Sequence, residues 1–270
     1  MEVAGAGLTD ESFWDDYWSS VRLPLQVDKS SGFLIARITD VFDRFLHGGG
    51  PLSVLEIGGA PGQYAAYVCN ALGHAVTVLD NSPLGCAKAR ENFDLLGIRG
   101  DVIEGDLFQP PELPPFDAVF SLGLIEHFRD VTGVVRAHLD LLKPGGLLLL
   151  GAPNLVGINR FLLRRLSPSF LSAHRPEATH PSTWDAFEDE LRLERLFREY
   201  LGGFDPAVFW RCESRRLSDR VLHQALRYLG RGLDQPGLRL LREPNGRYWS
   251  AYLMGVYRLG HSPQAEQMAP

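Results

Sequence analysis

An α/β fold built on a parallel sheet is predicted by three stretches of this sequence. The first is Ser53-Val54-Leu55-Glu56-Ile57, then Gly58-Gly59-Ala60-Pro61-Gly62, then Gln63-Tyr64-Ala65-Ala66-Tyr67-Val68-Cys69. An apolar run, a Gly-rich turn and apolar spacing at helical period read as strand, tight turn and helix. The second is the alternating, β-branched run His74-Ala75-Val76-Thr77-Val78-Leu79-Asp80, which reads as a strand ending in an acid. The third is the fully apolar stretch 147–150 behind Lys143-Pro144-Gly145-Gly146, the pattern of a strand buried on both faces.

The first junction is also the candidate site. At the carboxyl end of a strand in such a sheet, glycines let backbone approach a ligand and the following helix offers unpaired N–H groups. Glu56 lies in an apolar strand end, where a carboxylate is costly without a partner. Asp80, at the next strand tip, occupies the place from which two carboxylate oxygens can accept hydrogen bonds from ribose hydroxyls.

Length and composition narrow the class. With 270 residues and 45% hydrophobic content, the chain can bury a full core as one αβ domain with appended elements. No apolar run approaches the roughly 18 to 20 residues of a membrane span, and residues 1–10 lack a basic start and apolar centre, so a cytoplasmic protein is expected. Cys69, Cys86 and Cys212 are scattered, which supports neither a disulfide framework nor a zinc site. A net charge of −6 argues against nucleic acid as the main partner. Lys29, Lys88 and Lys143 are the only lysines, while arginines crowd into 160–165 and 211–231, read as solvated faces.

Taken in order, Phe13, Trp14, Tyr17 and Trp18 recur at helical spacing and give an aromatic face that either docks on the core or covers a site. Ser30 or Ser31 is expected to cap a second helix carrying Phe33, Leu34, Ile38, Val41, Phe42, Phe45 and Leu46. A helix over 84–96, a strand over 101–107, a Pro-rich loop over 110–115 and an apolar strand from Phe116 through Ser121 follow. The next helix is expected to end over 139–142. Residues 155–180 lose clear periodicity and exceed an ordinary connection, a mark of a functional or mobile segment. Beyond it come helical residues 184–196, partly extended 197–209, a helix over 218–229, a last strand over 247–258 and a disordered tail, 261–270.

These motifs resemble those of class I S-adenosylmethionine (SAM) dependent methyltransferases, whose first motif is acid-x-Gly-x-Gly-x-Gly. Here it reads Glu56-Ile57-Gly58-Gly59-Ala60-Pro61-Gly62, with Ala60 at the middle glycine. Lys143-Pro144-Gly145-Gly146 before an apolar strand matches as well. The strand running into Glu126-His127 is similar to the fourth strand of small-molecule methyltransferases, including those of quinone biosynthesis. The motifs of nucleobase amino and cytosine-carbon methyltransferases are missing, as is the lysine-rich tetrad of RNA ribose enzymes.

The resemblance implies a Rossmann-like, seven-stranded, mostly parallel sheet with helices on both faces and an antiparallel final strand. It also implies SAM as cofactor, held by Glu56, Gly58, Gly59, Ala60, Gly62, Asp80, Asn81, Asp106, Leu107 and Ser121. Asp80 would hold the ribose and Asp106 the adenine amino group. Residues 1–50 would form a helical cap, and residues 51–260 the cofactor-binding domain with an acceptor lid inserted at about 155–182.

Because the donor sulfonium is already activated, the protein's main task is to hold the acceptor in line with it. A base is needed only for a weakly acidic acceptor, and His127, His174 and His180 are the candidates. No metal-ligand set is expected. The expected partner is a small-molecule acceptor methylated on oxygen or nitrogen. A lipid-like acceptor at a membrane surface and a non-catalytic SAM-binding module are the competing readings.

Overall fold

The computed structural model describes residues 7–9, 11–30, 32–205, 212–233, 235, 237–238, 241 and 244–259. Ser31, the end of the stretch 197–209 and the tail 261–270 lie outside the described residues. Two helices, α1 (Glu11–Ser19) and α2 (Phe33–Leu46), precede the alternating part. That part runs β1 (Ser53–Ile57), α3 (Gln63–Leu72), β2 (Ala75–Asp80), α4 (Pro83–Leu96), β3 (Gly100–Glu104), β4 (Phe116–Leu122), α5 (Val131–Leu139) and β5 (Leu142–Pro153). An inserted segment then holds α6 (Gly157–Leu166), α7 (Pro168–Ser172) and a 3₁₀ turn, Pro176–Thr179. The chain closes with α8 (Pro181–Glu190), β6 (Glu194–Phe204), α9 (Leu217–Leu233) and β7 (Ser250–Arg258).

The strands form one seven-stranded sheet in the order β3-β2-β1-β4-β5-β7-β6. Pairing is parallel from β3 to β5. It turns antiparallel where β7 enters between β5 and β6. The strand order reverses between β1 and β4, and in open α/β sheets ligands sit outside the carboxyl ends of strands at such a switch point.

Alternation within the strands builds two cores. Val54, Phe120, Leu149 and Met254 face α2 and α3, while Leu55, Val119, Leu148 and Leu253 face α5 and α8. Because both faces are covered, β7 is buried from Ser250 to Tyr257. A third, small cluster joins Leu155, Leu162, Leu163 and Leu166 of the insert to Leu222 and Leu226 of α9. Among the described residues, no helix is long and apolar enough to cross a membrane.

Several expected boundaries shift for physical reasons. The N-cap of α2 is Gly32, with no side-chain cap, whereas Ser30 is spent on Asp28, its amide at 2.8 Å and its hydroxyl at 2.6 Å. Helix α5 ends at Leu139, and β5 begins before the Lys-Pro-Gly-Gly run. Leu142 pairs Phe116 and Leu147 pairs Ala118, so the run bulges out of the ladder rather than preceding it. Lys143 there bridges to Asp117 at 2.7 Å, holding that carboxyl down at about 2. Asp117 also accepts from the Ser53 amide and hydroxyl at 2.9 and 2.7 Å, which ties β1 to β4 at their amino ends. Helix α8 is shorter than its apolar spacing suggested: Arg192 takes a left-handed φ of 52° and turns the chain into β6.

Candidate active site

The carboxyl ends of β1, β2 and β4 open on a cavity of about 270 Å³. Gly58, Asp80, Asn81, Asp106, Leu107 and His127 line it, joined by Trp14 and Trp18 from α1. Both readings of α1's aromatic face are therefore met by one placement, since Trp18 is buried while Trp14 forms cavity wall.

The turn after β1 has its shape fixed by backbone chemistry. Gly58 (φ 63°) and Gly62 (φ 79°) occupy left-handed backbone, which favours glycine. A Cβ on Gly58 would come within 2.8 Å of Leu124 Cδ1, and one on Gly62 within 2.5 Å of Phe93. A Cβ on Gly59 would collide with the Glu56 side chain. Two carboxylates then hold the turn from beneath. Glu56 Oε2 accepts from the Ala65 amide of α3 at 2.8 Å, filling the role of the missing N-cap side chain. Asp80 accepts from Ala60 N at 3.1 Å and Ser82 N at 2.9 Å. Burial pushes the Glu56 carboxyl up to about 8, against the Ala65 hydrogen bond, and raises Asp80 against the amides of Ser82, Ala60 and Asn81.

Four of the ten cofactor candidates thus sit behind the cavity wall. Glu56, Gly59, Ala60 and Gly62 shape the turn without lining the cavity. Ser121 is a fifth and a clearer departure. Its hydroxyl lies 2.9 Å from His138 Nε2 on α5, and His138 Nδ1 donates to the Val134 carbonyl at 2.8 Å. The strand period gives the reason: Ser121 shares the face of Val119, which packs toward α5. Asp106 lines the cavity, with one oxygen accepting from Phe108 N at 3.0 Å to close its own turn.

At the other end of the cavity, the turn Ile125–His127 carries two buried polar groups. His127 Nδ1 donates to the Ala173 carbonyl at 3.0 Å, and its ring lies 5.0 Å from Trp14 and 4.3 Å from His174. His174 Nδ1 donates to the Phe170 carbonyl at 2.6 Å. Burial pushes His127 down to about 3 and lowers His174, so both imidazoles are neutral and weakly basic at pH 7. A free base of that strength is a poor proton acceptor for a hydroxyl.

His180, the third candidate base, does not join them. It caps α8, with Nδ1 at 2.7 Å from Ser182 Oγ and Nε2 engaged by Arg247. The insert's apolar side chains also differ from a simple acceptor wall. Leu162 and Leu166 are buried in the cluster beneath α6, and Phe161 is 62% exposed.

Glu126, which entered the sequence reading only as part of the Glu126-His127 motif and not as a site residue, is 1% exposed with Oε2 lacking any partner. Desolvation pushes its carboxyl up to about 8. The argument applied to Glu56, an acid in apolar surroundings, would have singled it out.

Comparison with known proteins places this site in a family. A family model described as "Methyltransferase domain" matches residues 54–146, the stretch from β1 to the bulge of β5. An enzyme of Xylella fastidiosa named ubiquinone biosynthesis O-methyltransferase is 31% identical over 187 residues, covering 63% of this chain and 72% of that one. The chain belongs to the class I SAM-dependent methyltransferases. A protein of the same name from Methylocella silvestris is 26% identical over 197 residues, covering 67% of this chain and 74% of the relative. A SAM-dependent methyltransferase from Thiobacillus denitrificans, solved with S-adenosylhomocysteine, superposes with a TM-score of 0.56 at 17% identity, over 93% of this chain and 98% of that one. The last likeness is one of fold.

This methyltransferase uses SAM, and its cavity suits such a ligand. Asp80 presents a buried acid at the β2 tip, and the backbone of Gly58 reaches the cavity without a side chain. The indole N–H of Trp18 is buried at the wall with no partner in the protein.

Proposed function

We propose that this methyltransferase transfers its methyl group to a hydroxyl oxygen of a small, largely apolar acceptor. The observation that carries the reading is that a buried acid and a neutral imidazole face one cavity: Asp80 at the β2 tip and His127 beyond the β4 tip. The relatives from Xylella and Methylocella are named for O-methyl transfer in ubiquinone biosynthesis, which favours oxygen over nitrogen. When bound, SAM supplies a methyl group on positively charged sulfur. Asp80 accepts from the ribose hydroxyls, Gly58 lets the ligand approach the turn, and Asn81, Asp106 and Leu107 border its base. His127, pinned through Nδ1 to Ala173, turns its other ring nitrogen toward the acceptor and orients the hydroxyl. Trp14, Leu124 and Phe128 exclude water and hold the acceptor in line, a service worth up to roughly 7 to 11 kcal/mol in well-oriented reactions.

In this reading residues 1–50 act as a cap and residues 155–182 as an acceptor lid on the domain of residues 51–260. The test is S-adenosylhomocysteine release by the purified chain, with matched phenols and amines as acceptors. Turnover of phenols alone is the expected result. Turnover confined to amines would move the reading to N-methylation, and none with either would overturn it.

A second reading, an acceptor dissolved in a membrane, rests on α9. Leu217, Val221, Tyr228 and Leu229 are 75, 60, 67 and 47% exposed there, interleaved with Arg220, Arg227 and Arg231. A helix of that character suits an anionic bilayer surface. Co-sedimentation with anionic vesicles, lost on reversing the three arginines to glutamate, would favour it.

A further inference from the structure

The cofactor end of the cavity holds one polar group that neither the fold nor Asp80 accounts for. Trp18 is 7% exposed and lines the cavity, and among the described residues its indole N–H has no hydrogen-bond partner. An indole nitrogen can only donate, and a buried one usually finds an acceptor. The ring itself is held in place: Trp14 stacks on it at 5.9 Å, and Tyr17 meets it edge-on at 4.8 Å. Its Nε1 lies over Gly85 of α4, where a Cβ would come within 2.9 Å of the nitrogen. The same Cβ would meet Ala60 Cβ at 2.9 Å and Ser82 Cβ at 3.2 Å. Ala60 stands where the methyltransferase motif has its middle glycine, so its methyl is turned to α4, at the point that Gly85 leaves open. Ala60 and Ser82 are also the residues whose amides donate to Asp80, at 3.1 and 2.9 Å. The indole N–H and the β2 acid therefore share one corner of the cavity.

We propose that Trp18 is a cofactor-binding residue that donates its indole N–H to a ribose hydroxyl oxygen of SAM. Donor and acceptor roles then match. A ribose hydroxyl gives its proton to the Asp80 carboxylate and keeps two lone pairs, and the indole, which has a proton and no lone pair to offer, fills one of them. Asp80 alone ties the ribose to β2. With Trp18 the ribose is tied to α1 as well, so a bound cofactor fastens that helix over the site. Gly85 serves by leaving room: a side chain there would have to push aside the indole or the Ala60 methyl, a contact that gives glycine its place in a helix alanine would otherwise favour. The proposal rests on the reading of Asp80 as the ribose acid.

The experiment is calorimetry of S-adenosylhomocysteine and of its 2′-deoxy and 3′-deoxy analogues on wild type and Trp18→Phe, a variant that keeps a ring against Trp14 and lacks the N–H. Affinity for S-adenosylhomocysteine is expected to fall about 2- to 13-fold, the net worth of one neutral hydrogen bond. That loss should disappear against the deoxy analogue lacking the oxygen that the indole meets, whereas a role in packing alone would lower all three affinities alike. The same loss against all three ligands, or no loss with any, overturns the proposal. If the phenylalanine variant does not fold, the wild-type chain answers by itself. With its five tryptophans labelled with ¹⁵N, one indole N–H signal should move downfield with S-adenosylhomocysteine and stay near its free position with that analogue. Indole signals that respond alike to all three ligands overturn the proposal as well. Wild type that binds both deoxy analogues as tightly as S-adenosylhomocysteine removes the ribose from Asp80 and the proposal with it. Wild type that discriminates among them, while Trp18→Phe matches it throughout, sinks the proposal alone.

Discussion

The two ends of the cavity are built on opposite plans. At the β1 and β2 tips, both carboxylates are spent on backbone amides of their own neighbourhood, Glu56 on Ala65 and Asp80 on Ala60 and Ser82. Both acids of that end and the turn between them come from one strand–helix–strand unit. At the far end, Glu126, His127 and His174 come from two segments far apart in sequence, and one carboxylate oxygen has no protein partner. At the first end both acids are engaged by backbone amides, while at the second a buried carboxylate oxygen is left without a hydrogen-bond partner. Substitutions at the first should therefore act on cofactor affinity, and those at the second on acceptor chemistry.

The strongest way to break this contrast is Gly58→Val. A β-branched residue at φ 63°, with its Cβ directed at Leu124, must strain the turn or intrude on the cavity. S-adenosylhomocysteine affinity is expected to fall more than about 100-fold, roughly 2.7 kcal/mol or more, in a chain that still melts cooperatively. Full affinity would remove the turn from the site. Asp80→Ala should cost somewhat less. Losing a charge-assisted hydrogen bond is worth roughly 1.5 to 3 kcal/mol, or about 10- to 150-fold in a calorimetric titration. Unchanged binding would mean that Asp80 serves only Ala60 and Ser82.

Glu56→Gln sharpens the comparison through pH. The Glu56 carboxyl rises from 4.5 to about 8 on folding. Between those values the folded chain holds a proton that the unfolded chain has lost. Stability therefore declines as pH rises through this window, by up to roughly 1.4 kcal/mol per pH unit from this group. Glutamine keeps an oxygen for the Ala65 amide without titrating, so the variant's urea midpoint should fall less steeply between pH 5 and 8, an interval inside that window. A slope identical to wild type would show that Glu56 does not carry the proton.

The smallest effect is expected at His180, outside both ends. His180→Ala should leave turnover within about twofold and cost about 1 kcal/mol of stability as a lost helix cap. A large loss of turnover with normal stability would bring His180 back as a base.

The same contrast explains what could be read from sequence. The turn after β1 and the acid at the β2 tip were legible because strand, turn and acid follow one another within one βαβ unit, so order along the chain maps onto position in space. The parallel half of the sheet was legible for the same reason, whereas its seven strands and antiparallel final strand are what the resemblance to the methyltransferases implied. The acceptor end was not. His174 and His180 are alike in sequence terms, and only the path of α7 and the turn after it puts one against His127 and the other against Arg247. Ser121 could have been placed by parity with Val119. The bulge that absorbs Lys-Pro-Gly-Gly could not, because its Leu142 partner lies on another strand.

The position of β7 has a consequence for how the protein is made. Among the described residues β6 has β7 as its only neighbour in the sheet, and β5 is completed on that side by the same strand. A ribosome delivers residues 250–258 after all the other strands, so β6 must wait beside an open β5 edge until they emerge. During that interval the nascent chain exposes a long apolar strand edge, the kind that pairs with other chains. Slow translation of α9 and the segment after it would lengthen this exposure and favour aggregation, whereas the parallel half of the sheet would already be formed.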